Sequence, residues 1–203
     1  MLPSKIICVG RNYADHAKEL GNATPSAPLL FMKPPSSVIA SGETIILPRA
    51  SERVDYEGEI GIVIGTRTRG VDERDARACV RAIVALNDVT ARDLQKTDGQ
   101  WTRAKGFDTF CPVGMEGPLP DRLEDLVVVT RVNGAERQRG TAAEMVFSIP
   151  KLIAYVAGVM TLFPGDIIAT GTPAGVGSLA AGDVVEVEIP GVSRVSNPVR
   201  AEA

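Results

Sequence analysis

Apolar residues along the chain fall into many short runs separated by turn residues, and few of these runs are long enough to form a helix. β-Branched residues are common in the runs, which is typical of strands within a sheet. Strands are therefore expected at residues 5–9, 29–33, 44–48, 60–64, 82–86, 126–132, 167–170 and 184–189. We expect the last of these to be the final strand, and Asn133-Gly134 to form a hairpin turn.

Helical patterns are fewer than strand patterns. Helices are expected at residues 14–20, at residues 73–81 and after Ser148, with a helical turn that Thr90 caps at residues 92–95. The segment after Ser148 is the clearest, because its apolar residues recur at i, i+3, i+4 and i+7 behind an N-cap serine. The segment at 73–81 follows Asp72 as its N-cap, and residues 95–106 are expected to form an ordered surface loop. Short strands with a few helices, without regular βαβ units, predict one β-rich α+β domain over residues 1–203.

The stretch from Val54 to Gly65 combines an apolar, strand-forming half with two acidic residues. If the strand extends back through Glu57, its period of two places Glu57 and Glu59 on one face. Buried ionised carboxylates must share a proton, pair with cations or hold a metal ion, because burial without a partner costs too much free energy. The alternative is that the strand begins at Ile60 and both acids lie in solvent at its end.

A third acid, Asp88, follows the apolar strand at residues 82–86. With Glu57 and Glu59 it would complete an all-oxygen site, which favours Mg²⁺ or Mn²⁺, with Ca²⁺ as a further candidate, over zinc or copper. Three carboxylates around one divalent cation leave a charge of about −1. An anionic substrate would therefore need nearby cations, for which Arg92 and Lys105 are the candidates.

The only histidine, His16, precedes Glu19 by three residues in the first predicted helix. Residues at i and i+3 are neighbours on one face of a helix, so the two side chains can meet. A carboxylate beside a histidine orients the imidazole and raises its basicity, as a general base requires. The alternative is an incidental ion pair on an exposed helix.

The glycine-rich segment at residues 170–177 follows a strand, as a phosphate-binding loop would. It lacks the G-K-[ST] ending of such a loop, and G-x-G-x-x-G is absent. Its backbone N–H groups beside the Thr172 hydroxyl could hold a small carboxylate. The alternative is a tight turn between two strands.

The overall composition argues against several classes of protein. The formal charge is −3, the pI is about 5.3 and no Lys/Arg run occurs, so nucleic acid is not expected as a partner. No apolar stretch approaches the ~20 residues of a membrane span, and residues 1–5 lack a signal pattern. The three cysteines, Cys8, Cys79 and Cys111, form no C-x-x-C pair. We therefore expect them to be small apolar residues in a protein of the reducing cytoplasm.

Taken together, the motifs resemble those of the fumarylacetoacetate hydrolase superfamily, most closely its short branch of acylpyruvases and oxaloacetate decarboxylases. The resemblance covers nearly the whole chain. The motifs that carry it are GRNYADHAKEL at 10–20, LFMKP at 30–34, DYEGEIGIVIG at 55–65, NDVTARDLQ at 87–95, WTRAKGFD at 101–108, VNG at 132–134, FSIP at 147–150 and PGDIIATGTPAGVG at 164–177. Each motif is weak alone, but together they are highly specific.

The resemblance implies a mixed β-sandwich roll of the family's C-terminal-domain type, usually a homodimer, with residues 1–50 as a lid and strand region packed on it. It implies a metal site, a catalytic dyad on a lid helix that orders over bound substrate, and positions that hold a 2-oxo acid. The matching residues are Glu57, Glu59 and Asp88 for the metal, His16 and Glu19 for the dyad, and Lys105, Arg92, Gln95 and Thr172 for the substrate. Lys105 would also be catalytic, because its charge can stabilise the oxyanion that develops in the reaction.

The implied function is divalent-metal-dependent hydrolysis of a C–C bond in acylpyruvate-like 2-oxo acids, such as fumarylpyruvate or acetylpyruvate, with oxaloacetate decarboxylation as an additional activity. One alternative is an isomerase or decarboxylase of hydroxylated dienedioates from aromatic catabolism. Another is a non-catalytic metal-binding protein. The motifs do not separate hydrolase, decarboxylase and isomerase members, because these share one metal core.

Overall fold

The computed structural model describes residues 2–19 and 21–203. The strands are β1 (Ile6–Gly10), β2 (Leu29–Lys33), β3 (Val38–Ile39), β4 (Ile45–Leu47), β5 (Val54–Tyr56), β6 (Gly58–Ile64), β7 (Val80–Asn87), β8 (Thr90–Ala91), β9 (Cys111–Pro112), β10 (Val127–Val132), β11 (Ala135–Thr141), β12 (Ile167–Ala169), β13 (Gly177–Ser178), β14 (Val184–Ile189) and β15 (Ser193–Ala201). The α-helices are α1 (Ala14–Glu19), α2 (Arg92–Thr97), α3 (Thr102–Lys105) and α4 (Ile149–Val159).

Two five-stranded sheets form a sandwich. The first has the order β2-β1-β12-β6-β7 and the second the order β11-β10-β14-β15-β4. Both are mixed, because β1 runs parallel to β12 and β15 runs parallel to β4 while the other neighbours are antiparallel. Strands β6 and β7 of the first sheet pack against β10, β14 and β15 of the second. The predicted strand-rich sandwich is confirmed.

Both faces of the first sheet are buried. On one face Ile7, Ile62 and Ile83 pack with helix α4 and the second sheet, and on the other Cys8 and Val84 belong to a separate apolar cluster. A sheet covered on both sides needs apolar residues at successive positions, which explains why its strands have continuous apolar runs in the sequence.

Two smaller sheets extend the sandwich at one end of the first sheet. One has the order β13-β5-β8 and the other pairs β3 with β9. Strand β5 directly precedes β6, and β8 follows β7 after a short connection. The chain therefore bends at Glu57 and at Asp88, where it passes from the large sheet into a small one.

Several local predictions are confirmed. Asn133 and Gly134 connect β10 and β11 with φ of 52° and 79°, the left-handed values that a tight hairpin turn requires. Helix α4 starts after Ser148, whose hydroxyl accepts a hydrogen bond from Lys151 N. The first predicted helix is α1, and the last residue predicted for it, Leu20, lies outside the described residues.

The helix predicted at residues 73–81 is wrong. Only a short 3₁₀ turn forms, at Ala76–Cys79, and the residue before it is Asp75 rather than Asp72. Strand β7 already begins at Val80, which pairs with Ile64. The pairing in the sheet outweighs the local helical preference of this segment.

Strand β14 is not the final strand, because β15 follows it over nine residues. Polar residues and Pro198 interrupt β15, and proline argues against a strand in a sequence-based reading. The tertiary structure makes this segment a strand, because it buries apolar side chains such as Val195 and Val199 and leaves the residues beside them at least partly exposed.

The surface loop predicted at residues 95–106 is also wrong. Helix α2 continues to Thr97, α3 follows, and Lys105 at its end is buried. Thr90 lies in β8, so the residue that precedes α2 is Ala91.

No described helix is long and apolar enough to cross a bilayer. Cys8, Cys79 and Cys111 are free and buried, as expected for small apolar residues.

Candidate active site

Three carboxylates meet at the end of the first sheet. Glu57 lies between β5 and β6, Glu59 is on β6, and Asp88 follows β7. All three are buried, and one oxygen of each lies within 4.8 Å of those of the others. The backbone N–H of Asp88 donates to Glu57 O at 2.8 Å, which joins the two bends. The alternative that these acids lie in solvent is therefore wrong.

Gly58 explains why Glu57 and Glu59, two residues apart, lie on one side of the chain. A Cβ at this position would collide with Thr130 Oγ1 and lie 3.2 Å from Val187 Cγ1, both in the second sheet. The middle residue of the Glu-Gly-Glu motif therefore packs against the second sheet. Glu57 and Glu59 point away from it, towards Asp88.

Two cations hold Glu57 in its ionised form. Lys105 Nζ donates to Glu57 Oε2 at 2.8 Å and to Asp88 Oδ2 at 2.6 Å. The Arg92 guanidinium donates to Glu57 through Nη2 and to Asp55 through Nε. Burial alone would raise the pKa of Glu57, but the charges of Lys105 and Arg92 outweigh it and hold the pKa below its usual value.

Glu59 has no cationic partner among the described residues. Its hydrogen bond comes from Gly171 N–H, 2.8 Å from Oε2. Burial, and then the charges of Asp88 and Glu57, raise the pKa of Glu59 well above its usual value. A divalent cation between the three carboxylates would give Glu59 the direct cationic contact that it lacks. A buried, all-oxygen donor set in which one carboxylate has no ion-pair partner among the described residues therefore fits a hard divalent cation.

Sequence reasoning missed two buried charges at this site. Lys33, at the end of β2, donates from Nζ to Asp88 Oδ1 at 2.6 Å and to Val89 O at 3.1 Å. Asp55 accepts hydrogen bonds from both Arg53 and Arg92. Lys33 could have been found from the sequence, because it is a single charged residue at the end of an apolar strand. Asp88 was identified from a similar position.

The structure brings His16 and Glu19 together on α1. His16 Nδ1 lies 3.4 Å from Glu19 Oε2, and His16 is 5% exposed. The glycine-rich segment supports the dyad, because Gly175 N–H donates to Glu19 Oε1 at 3.1 Å. Its N–H groups thus bind carboxylates of the protein itself, Glu59 through Gly171 and Glu19 through Gly175.

Seven of the nine predicted site residues line one cavity of about 580 Å³. The other two, Glu59 and Asp88, are not on its wall. Gln95 Oε1 accepts from Arg92 Nη1 at 2.5 Å, and its amide N–H groups have no acceptor among the described residues, so they can donate to a ligand. Thr172 Oγ1 donates to Gly58 O and accepts from Gln138 Nε2, both at 2.8 Å, so its hydroxyl proton is already used.

Relatives of this chain include enzymes that act on small oxo acids. Over 201 residues it is 44% identical to oxaloacetate tautomerase FAHD1, mitochondrial, of Arabidopsis thaliana, covering 95% of this chain and 89% of the relative. It is 43% identical to oxaloacetate decarboxylase, mitochondrial, of Dictyostelium discoideum, covering 93% and 89%.

A solved structure has the same fold. The 5-carboxymethyl-2-hydroxymuconate delta-isomerase of Mycobacterium smegmatis superposes with a TM-score of 0.91 at 42% identity, covering 100% of this chain and 81% of that one. Residues 5–200 match the family described as fumarylacetoacetate (FAA) hydrolase C-terminal. With this match over nearly the whole chain, the protein belongs to the fumarylacetoacetate hydrolase family of enzymes.

Proposed function

We propose that this protein is a divalent-metal-dependent enzyme that hydrolyses a C–C bond in acylpyruvate-like 2-oxo acids, and that the same site decarboxylates oxaloacetate. One observation carries the proposal. Three buried carboxylates, of which Glu59 lacks a cationic partner among the described residues, converge beside a cavity whose wall holds Lys105 and Arg92.

The residues have complementary roles in this proposal. Glu57, Glu59 and Asp88 would hold Mg²⁺ or Mn²⁺, with Ca²⁺ as a further candidate, and the bound ion would polarise the keto oxygen of the substrate as a Lewis acid. Arg92 and the amide N–H groups of Gln95 would bind the substrate carboxylate. Thr172 forms part of the wall beside them.

Lys105 bridges Glu57 and Asp88 at the cavity wall. Its ammonium group would stabilise the negative charge that develops on the keto oxygen as the C–C bond breaks. Fixed charges aimed at such an oxygen act strongly in a buried site, because little reorganisation is needed during the reaction.

His16 would act as the general base in hydrolysis. Because its Nδ1 faces Glu19, the favoured tautomer carries the proton on Nδ1 and leaves Nε2 free to accept one. His16 then deprotonates the water that attacks the distal carbonyl of an acylpyruvate. Oxaloacetate releases carbon dioxide directly, so its decarboxylation needs no attacking water.

A second candidate is isomerisation or decarboxylation of hydroxylated dienedioates. The structural similarity to the mycobacterial isomerase favours it. The same carboxylate cluster would serve that chemistry, so only the products separate the two proposals. Membership of an enzyme family argues against a non-catalytic metal-binding role.

The test is a panel of 2-oxo acids, including acetylpyruvate, fumarylpyruvate, oxaloacetate and a hydroxylated dienedioate, assayed with Mg²⁺ and with Mn²⁺ and with every product identified. We expect turnover of acylpyruvates that stops on chelation and returns when the metal is restored. Full turnover in exhaustively chelated enzyme, or turnover of the dienedioate alone, would contradict the proposal.

We also propose that the protein is a homodimer, as its family membership suggests. Multi-angle light scattering at micromolar concentration measures the mass directly. A single species at the monomer mass of 21.5 kDa would contradict this proposal.

A further inference from the structure

The cavity has two ends that differ in charge. At the inner end Arg92 and Lys105 are each 2% exposed, and each of them bridges two buried carboxylates. At the outer end Arg11 is partly exposed and Lys96 is exposed, and both line the cavity. Neither has an acidic partner among the described residues. Glu19 also lines the cavity, but it faces His16 and accepts from Gly175 N–H rather than pairing with either cation. Arg11 and Lys96 therefore keep their charge available to a ligand.

The backbone at Arg11 is held in an unusual conformation. Its φ is 59°, in the left-handed region that is unfavourable for a residue with a Cβ atom. Such a conformation persists where the surroundings impose it, and it is common at ligand-binding sites. On one side Gly10 ends β1, paired with Leu29.

On the other side of Arg11, Asn12 is fully buried and anchors the chain. Its Nδ2 donates to Phe147 O at 3.1 Å and to Thr170 O at 2.8 Å, and its Oδ1 accepts from Phe147 N at 2.8 Å. The backbone of Arg11 is thus fixed between two anchored neighbours. Its side chain is presented to the cavity from a rigid base.

Aromatic side chains contribute to the wall of the same cavity. Trp101 and Phe31 line it and contact each other edge to face, with ring centroids 5.2 Å apart. Trp101 also packs over Gly10, where a Cβ would lie 2.9 Å from the Trp101 ring. These rings offer an apolar surface to the carbon chain of a ligand.

We propose that Arg11, with a smaller contribution from Lys96, binds a second anionic group at the far end of the substrate. Preferred substrates would then be 2-oxo dicarboxylates rather than 2-oxo acids with a neutral acyl end. This inference rests on the proposed function, because it assumes that the 2-oxo acid group occupies the inner end. A carboxylate at the outer end would meet the uncompensated guanidinium and form a charge-assisted hydrogen bond.

The test compares 2-oxoglutarate with 2-oxopentanoate, which share a head group and chain length but end in a carboxylate and a methyl group respectively. Binding to the Mg²⁺-loaded protein is measured by titration calorimetry, so turnover is not required. We expect 2-oxoglutarate to bind the unmodified protein about tenfold more tightly or better, a difference of about 1.4 kcal/mol.

Variants then assign the preference to Arg11. Arg11→Gln should weaken 2-oxoglutarate binding about tenfold and leave 2-oxopentanoate binding almost unchanged, whereas Arg11→Lys should keep most of the preference. Lys96→Gln should have a smaller effect that fades as salt is added. Arg67→Gln is the matched control, because Arg67 is exposed, follows the opposite end of β6 and does not line the cavity.

Equal affinity of the two ligands for the unmodified protein would overturn the inference. An equal loss for both ligands in Arg11→Gln would also overturn it, because Arg11 would then only maintain the shape of the cavity. Binding of neither ligand would overturn it together with the proposed function. A clear preference for 2-oxoglutarate without turnover of any 2-oxo acid would sink the proposed function alone.

Discussion

Two Glu-x-Glu motifs on neighbouring sheets have different surroundings. Glu57-Gly58-Glu59 is buried, and its acids converge with Asp88. Glu186 and Glu188, on β14, have side chains 16% and 31% exposed, and both accept from Arg131 at 3.1 and 2.7 Å. Arg194 adds a second cation at Glu186. Spacing places two acids on one face in either motif, but only the buried motif lacks a cation for one of its acids.

The two motifs lie back to back across the sandwich. The absent side chain of Gly58 leaves room for Val187, the middle residue of the other motif. The acids of one motif therefore face away from the acids of the other. One pair meets a carboxylate from the adjacent strand, and the other meets arginines from both adjacent strands. Which residues the neighbouring strands supply thus decides whether the pattern forms a candidate metal site or a set of surface ion pairs.

The comparison is tested most strongly by removing one carboxylate from each motif. Glu59→Gln keeps the shape and an acceptor for Gly171 N–H, so the protein should fold. We expect Mg²⁺ affinity to fall at least ~100-fold and activity to be lost, because an anionic oxygen ligand is removed. Glu186→Gln is the control and should change neither the Mg²⁺ affinity nor the activity. Calorimetric titration with Mg²⁺ measures the affinity of both variants, and normal binding by Glu59→Gln would refute the assignment of Glu59 as a metal ligand.

The second test concerns the dyad, which accompanies only the buried motif. His16→Ala should lower kcat for acylpyruvate hydrolysis by ~10²–10⁴-fold, because general-base assistance is lost. Oxaloacetate decarboxylation should lose much less, and Glu19→Ala should follow His16→Ala less severely. Metal occupancy is checked first by calorimetry. Equal losses on the two substrates would mean that His16 does not activate water.

The third test removes one cation from each region. Lys105→Met leaves Glu57 and Asp88 buried with fewer partners, so the metal-free protein should lose about 3–5 kcal/mol of unfolding free energy. Added Mg²⁺ should restore part of this loss, because the ion would bring positive charge to the same carboxylates. Arg131→Met, in the partly exposed ion pairs of β14, should cause a much smaller loss that Mg²⁺ does not change.

Urea denaturation with and without Mg²⁺ measures these differences. A similar loss in both variants would show that burial does not distinguish the two clusters.

The smallest expected effect is at the contact between the motifs. Gly58→Ala should destabilise the fold by about 1–3 kcal/mol, because the new methyl group collides with Thr130 Oγ1. Thr130→Ala alone should be nearly neutral, since that hydroxyl is buried with no hydrogen-bond partner in the described part of the chain. The double variant should recover part of the loss in thermal denaturation. Strict additivity would show that the two sites do not contact each other.

Features that depend on nearest neighbours along the chain were predictable. The N-cap at Ser148 and the turn at Asn133-Gly134 need only local hydrogen bonds and backbone preferences, and both form where expected. The convergence of Glu57 and Asp88 was also predictable, because Glu57 precedes one apolar strand, Asp88 follows the next, and these two strand ends lie together in an antiparallel pair.

Other features depend on which strands become neighbours, and only the tertiary structure decided them. Val80 is in a strand because it pairs with Ile64. Pro198 is tolerated in β15 because the pairing with β4 begins only at the next residue, Val199, so no ladder hydrogen bond to β4 needs an N–H at Pro198. Lys33 reaches Asp88 from a strand that is distant in sequence.

The sequence alone determined the Glu-x-Glu spacing, which places both acids on one face wherever the segment is extended. It did not determine which of the two pairs would be buried with one acid that has no ion-pair partner among the described residues. That outcome depends on the charges that neighbouring strands bring within a few ångströms, and these follow from strand order and register. Electrostatic energy depends on distance and burial, whereas the sequence specifies only separation along the chain.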